Sequence, residues 1–194
     1  MTITRDDLTE ALRVHADAIK EADEWRPLVD HVLALMDIEK ERILAEIETR
    51  KHQRRVAAIL HLFVAKLLDR ADIHDDSKTT EPEVNVFAEF TAKLKGVTYG
   101  SPEYKDYLGQ MKPALDHHYA KNRHHPEHYP EGVNDMTLVD LVEMLADWKS
   151  ASERHDDGNI LQSIEKNRKR FNIDAQLAEV LVNTVKFLSL VEQS

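Results

Sequence analysis

Three features of the sequence predict an all-α fold: it is poor in breakers, rich in helix formers, and its apolar residues recur at intervals of three and four. Five glycines and six prolines among 194 residues leave long uninterrupted stretches dominated by Leu, Ala, Glu, Lys and Arg, the residues that lose least on entering a helix. With 42% hydrophobic and 32% charged residues, the chain can bury one substantial core. It is expected to form a single compact domain with an appended N-terminal helical layer.

The elements follow in order. Leu8, Leu12, Val14 and Ile19 give a loose helical repeat ending near Trp25 and Pro27, where proline can open a new helix but not continue the old one. From Leu28 to about Ala71 there is neither Gly nor Pro. The helical spacing persists, although such a length predicts a break near Met36 to Glu39 or near Lys51. A loop is expected from Asp72 to Pro82. Pro82 then starts a helix that buries Val86, Phe87 and Phe90 and stops at Gly96. Ser101 caps a helix opening at Pro102 and running to about His125, where Pro126 ends it. An irregular stretch follows, and Thr137 with Asp140 has capping-box spacing for the helix of Leu138, Leu141, Val142, Leu145 and Trp148. Asp157 and Gly158 break the chain. A basic helix from Ile160 to Arg170 and a last helix capped by Asp174 complete it.

Charge and composition narrow the function. A formal net charge of -10 argues against general attraction to nucleic acid or an acidic membrane surface, while leaving room for a small phosphorylated substrate beside a metal ion. Without cysteine, any metal must be held by nitrogen and oxygen. The N-terminus lacks an apolar signal core and no segment approaches the length of a membrane span, which points to a soluble cytoplasmic protein.

Eleven histidines are the outstanding feature, five of them between His117 and His128. Neutral imidazole and carboxylate suit a divalent metal, and the adjacent pair His74-Asp75 can bind one ion or bridge two where the backbone turns sharply. Lys78 follows three residues later. His52 shares a helix face with Val56, Ile59 and Phe63 and is expected to point inward, either as a ligand or bonded to a carbonyl; His61 competes with it. His118, Lys121 and His125 share one helix face, and His117, Lys121 and His124 the adjacent one, if the helix persists to Pro126. Asp140, Glu143 and Asp147 form a charged stripe that by spacing alone reads as the wet side of its helix.

The order His52, His74-Asp75, the histidines of residues 117 to 125, then Asp147 resembles the HD superfamily of metal-dependent phosphohydrolases. The runs HDxSK, HHYxxNxHHPEH and DLVEMxxDW are similar to those of a set of HD-like bacterial and phage proteins, over roughly residues 50 to 172. The resemblance implies an HD-like helical bundle over 46–194 with residues 1–45 as a helical extension that either covers the core or forms a homodimer contact. It also implies a first metal on His52, His74, Asp75 and Asp147, and a second on His118 and His125 or on His117 and His124. The cofactor is one or two divalent transition metal ions, with Fe, Mn, Zn, Co and Ni not distinguished, or else Mg. Asp76 and Ser77 stand where that family usually has an apolar residue and a glycine.

The expected activity is metal-dependent hydrolysis of a nucleotide or related phosphoester. Asp75 and Lys78 would be catalytic, and Lys78, Lys121, Arg123 and Arg154 would bind substrate. The basic run Lys166, Arg168, Lys169 and Arg170 is either a further anion site or a solvated helix face. Two alternatives are a di-iron oxygenase of the same fold and a metal-stabilised protein that binds a nucleotide or partner without turnover.

Overall fold

The computed structural model describes residues 6, 22–98, 101–154 and 158–191, and among these it is all-α, with six helices and no strand. The expected repeat at Leu8 to Ile19 lies outside the described residues, as does Asp157 of the expected break. No helix among the described residues is long and apolar enough to cross a membrane.

Helix α1, Ala22–Ile73, spans 52 residues without interruption. The breaks expected near Met36 and Lys51 are absent because nothing in the stretch removes an amide donor. Neighbouring charges also bridge successive turns, as between Arg50 and Glu46 at 2.6 Å and Lys51 and Glu48 at 2.6 Å. Pro27 sits in the second turn of this helix and does not open a new one. Contacts divide the chain into two units, 1–61 and 62–194, with the boundary inside α1.

In the second unit α1 ends at Ile73, a short 3-10 turn covers Asp76–Thr79, and α2 runs Glu83–Lys95 with Phe90 buried and Val86 and Phe87 half-buried. Helix α3, Pro102–Lys121, is capped by Ser101, whose side chain accepts from the Tyr104 amide. It ends at Lys121, four residues before the expected His125, because Asn122 leaves helical geometry and caps it by donating to the His118 carbonyl. Helix α4, Leu138–Ser152, carries the expected Thr137–Asp140 capping box. Helices α5, Ile160–Arg170, and α6, Ala175–Phe187, start at the side-chain caps Asn159 and Asp174.

The apolar core joins α4, α5 and α6. Met144, Ile160, Ile164 and Val185 are almost wholly buried, and Trp148 stacks on Phe171 with ring planes 6° apart. Each such side chain contributes about 1.5–3 kcal/mol of transfer free energy. The same helix α4 buries Asp140 and Glu143 on another face. The stripe read as solvated is therefore an inward one, and the segments that bond it bring the histidines together.

Candidate metal centre

The centre begins where α1 stops. Asp75 has φ 60° and ψ 15°, a left-handed conformation that costs a residue with a Cβ about 1–2 kcal/mol. This sharp turn lets the Lys78 amide donate back to the Asp75 carbonyl, starting the 3-10 turn, and directs His74 and Asp75 toward α3 and α4. Lys78 Nζ lies 2.5 Å from Asp75 Oδ2. Burial alone would push the Asp75 carboxyl up, but the Lys78 ammonium outweighs it and holds the group below the ordinary range.

Three imidazoles converge on the same carboxylate. His118 Nε2 is 3.3 Å and His124 Nε2 3.5 Å from Asp75 Oδ1, and His125 Nε2 is 2.9 Å from His118 Nε2. On the other side His74 Nε2 lies 3.6 Å from Asp75 Oδ2 and 3.8 Å from Asp147 Oδ1. Two groups of four donor atoms result, each with all its atoms within 4.8 Å of one another: Asp75, His118, His124 and His125, and His74, Asp75, His124 and Asp147. Asp75 and His124 belong to both. Donors that share an ion at about 2.0–2.2 Å stand about 3.0–3.5 Å apart, close to several of the separations here.

Two buried carboxylates aim the rings. Glu83, wholly buried at the start of α2, accepts from His118 Nδ1 at 2.9 Å and from His117 Nδ1 at 2.7 Å, and Ser77 Oγ also donates to it. The proton on His118 Nδ1 leaves Nε2 with its lone pair facing Asp75, the usual relation of a carboxylate to a metal-binding histidine. Glu143 plays the same part from α4. It accepts from His74 Nδ1 at 3.0 Å and lies 3.1 Å from His124 Nδ1, although not in line for a hydrogen bond. Burial raises Glu143, but His124, His74 and the Arg70 charge bring it down to about 2.

Electrostatics keeps two rings neutral. Burial lowers His118, and burial with the neighbouring His124 and His118 pushes His125 down to about 2, so both offer lone pairs at neutral pH. His74 differs: its bond to Glu143 outweighs burial and raises it, with Asp75 and Asp147 adding to the effect. One observation stands apart. Asp75 Oδ1 and both ring nitrogens of His124 are buried without a hydrogen-bond partner, an arrangement native proteins rarely leave unmet.

Asp140, wholly buried, braces this assembly. It accepts from Arg70 at 2.7 Å, from Arg123 at 3.2 Å, from Tyr129 at 2.8 Å and from the Thr137 amide and hydroxyl. Burial opposes its ionisation, but these bonds, Thr137 first, hold it far below the ordinary range. The end of α1, the segment carrying His124 and the start of α4 are thereby tied to one carboxylate.

Of the residues singled out in the sequence, His74, Asp75, His118, His124, His125 and Asp147 come together here. His117 sits behind His118 on Glu83. Lys78 is spent on Asp75, and Arg123 is held by Asp140 above the Tyr129 ring. A cleft of about 410 Å³ adjoins the histidines on the side of Ser77, Asn122 and Glu143, and exposed Lys121 lines it with Arg70 and Arg123. Arg154 is exposed beyond the end of α4.

His52 corrects the inward expectation. It is exposed, as are Val56, Ile59 and Phe63 of its face, and it enters neither donor group. His61 is exposed too. The basic run is a solvated face, with Arg168 and Lys169 on Glu165 and Arg170 on Glu127. The sequence reading missed Glu83, which looks like any acid in a first helical turn, and misassigned Asp140 and Glu143. Periodicity could have found the latter two, since they follow the side of α4 that carries Asp147.

Comparison with family models matches residues 43–189 to a family of unknown function, DUF5662. No curated protein and no solved structure matches the chain.

Proposed function

The chain belongs to DUF5662, and from its own site we propose that it is a metal-dependent phosphohydrolase acting on a nucleotide or related phosphoester. The observation that carries this reading is that Asp75 Oδ1 and His124 Nε2 are buried without hydrogen-bond partners beside His118, His125 and His74. A cation satisfies several such acceptors at once, whereas apolar packing leaves their lone pairs facing one another.

The donor set fits one or two divalent ions. His74, Asp75, His118, His124, His125 and Asp147 would hold such an ion or ions, Asp75 and His124 being common to both groups. When bound, a divalent ion there acidifies a water and offsets charge on a phosphoryl oxygen. The remaining tasks fall to the chain's own residues. Lys78 holds Asp75 ionised and keeps one of its oxygens oriented. Glu83 and Glu143 hold protons on the far nitrogens of His118 and His74, presenting the near nitrogens as donors. Lys121, which has no ion-pair partner among the described residues, lines the adjoining cleft and is the cation we assign to a substrate phosphate.

Elemental analysis of the purified protein, followed by a screen of nucleotides and phosphoesters with the metal found, tests the proposal. Bound metal and release of phosphate or nucleoside are expected, both lost in Asp75→Ala, which breaks both donor groups. Metal retained by that variant would overturn the assignment. The number of imidazoles around Asp75 favours a second reading, a di-iron oxygenase. Iron content, a visible absorption band and oxygen consumption distinguish it.

A further inference from the structure

The two donor groups of the centre are not equivalent. Asp75, His118, His124 and His125 offer three imidazoles and one carboxylate, whereas His74, Asp75, His124 and Asp147 offer two of each. With Asp75 and His124 common to both, His118 and His125 are particular to the first group, and His74 and Asp147 to the second.

Asp75 divides its oxygens between them. Oδ1 faces His118 Nε2 at 3.3 Å and His124 Nε2 at 3.5 Å, and it is buried without a hydrogen-bond partner. Oδ2 faces His74 Nε2 at 3.6 Å and already takes the Lys78 ammonium at 2.5 Å. The oxygen free to accept a cation therefore belongs to the first group. Spacing agrees: separations of 2.9, 3.3 and 3.5 Å in the first group lie at or near the about 3.0–3.5 Å between donors on one ion. His74 stands 3.6 Å from Asp75 and 3.8 Å from Asp147, outside that spacing. A proton shared between His118 and His125 would account for their close approach, but it would still leave Asp75 Oδ1 and His124 Nε2 unmet. Burial points the same way. The side chains of His118 and His124 are 2% and 1% exposed, those of His74 and Asp147 31% and 20%. Donors already held in place and shielded from water lose least on closing around an ion.

We propose that the group of Asp75, His118, His124 and His125 is the tight site of the centre. It takes the first ion, a transition metal and not Mg²⁺, and an ion on the side of His74 and Asp147 follows it and is held more weakly. Imidazole suits transition metals, whereas Mg²⁺ keeps to oxygen ligands and water. The resemblance read in the sequence implies the reverse order, with the first ion on His74, Asp75 and Asp147. This order presupposes that the centre holds metal, as proposed above, and nothing about the reaction.

Calorimetric titration of metal-stripped protein with Co²⁺ tests the order. In the unaltered protein a first equivalent should bind more tightly than any second, and Mg²⁺ in large excess should not displace it. Asp147→Ala should bind the first equivalent as the unaltered protein does. His125→Ala should bind it more weakly, by more than the about 10–100-fold that loss of an outer partner costs. Circular dichroism establishes that both variants keep their helices; the titration of the unaltered protein and its Mg²⁺ competition depend on neither. Two equivalents of equal affinity, displacement by Mg²⁺, or a first equivalent weakened as much in Asp147→Ala as in His125→Ala overturns the proposal. Protein that binds no Co²⁺ removes the metal centre itself, and with it the phosphohydrolase reading. Metal bound in another order removes only the order proposed here.

Discussion

The two inward faces of α4 are built on opposite principles. One carries Met144, Leu145 and Trp148 into the apolar core, and the other carries Glu143 and Asp147 to the histidines and Asp140 to Arg70 and Arg123. On the first face stability comes from transfer of apolar surface, with no requirement for a particular partner atom. On the second each buried charge costs desolvation and is tolerated only because a named group meets it. The core should therefore respond to substitution in stability alone, and the centre chiefly in what it binds.

The largest expected effect falls at Asp75. Asp75→Ala removes the one group common to both donor sets that can bridge ions, and it also leaves Lys78 without its partner. Elemental analysis should find metal lost, while circular dichroism finds the helices intact, since Asp75 lies outside every helix. A variant that unfolds would show that the centre and core are not separable in this way.

Ile164→Ala applies the same comparison from the other side. Ile164 is 2% exposed in the core, and truncating it should cost about 2–5 kcal/mol in urea unfolding. Metal content of the folded fraction should not change. Loss of metal at full folding would mean that core packing positions the ligands, and the division between the two faces would fail.

The same division explains what could be read in the sequence. Ser101, Thr137 and Asp174 cap helices through bonds to amides three residues away, so their signal is local and the starts of α3, α4 and α6 were legible. The end of α3 was not. Pro126 marked a limit, but Asn122 turned the chain earlier, and His124 and His125 reach Asp75 from an irregular segment, not from a helix face. His52 failed for a related reason: helical spacing of apolar residues marks a face but not its burial, and Val56, Ile59 and Phe63 of that face are exposed. Glu83 was illegible because its meaning depends on His117 and His118, more than thirty residues away.

Glu83→Gln sharpens the comparison within the centre itself. The amide keeps the shape of the side chain but not the negative charge that favours a proton on His118 Nδ1. Metal affinity, measured by competition with a chelator, should fall about 10–100-fold, the usual effect of removing such an outer partner. An unchanged affinity would place Glu83 in the scaffold only.

The smallest effect is expected at Asp174. Its carboxylate accepts from the Leu177 amide at 2.8 Å and caps α6, on the core side of the molecule. Asp174→Ala should cost about 1 kcal/mol, seen as a shifted urea midpoint with unchanged slope. Metal content should stay as it was, because α6 contributes no donor atom to either group. The result bears on the comparison through its size. A loss near that of Ile164→Ala would mean that α6 frays as a unit once uncapped, taking Leu181 and Val185 out of the core with it, and that the core is less independent of its helix ends than its packing implies.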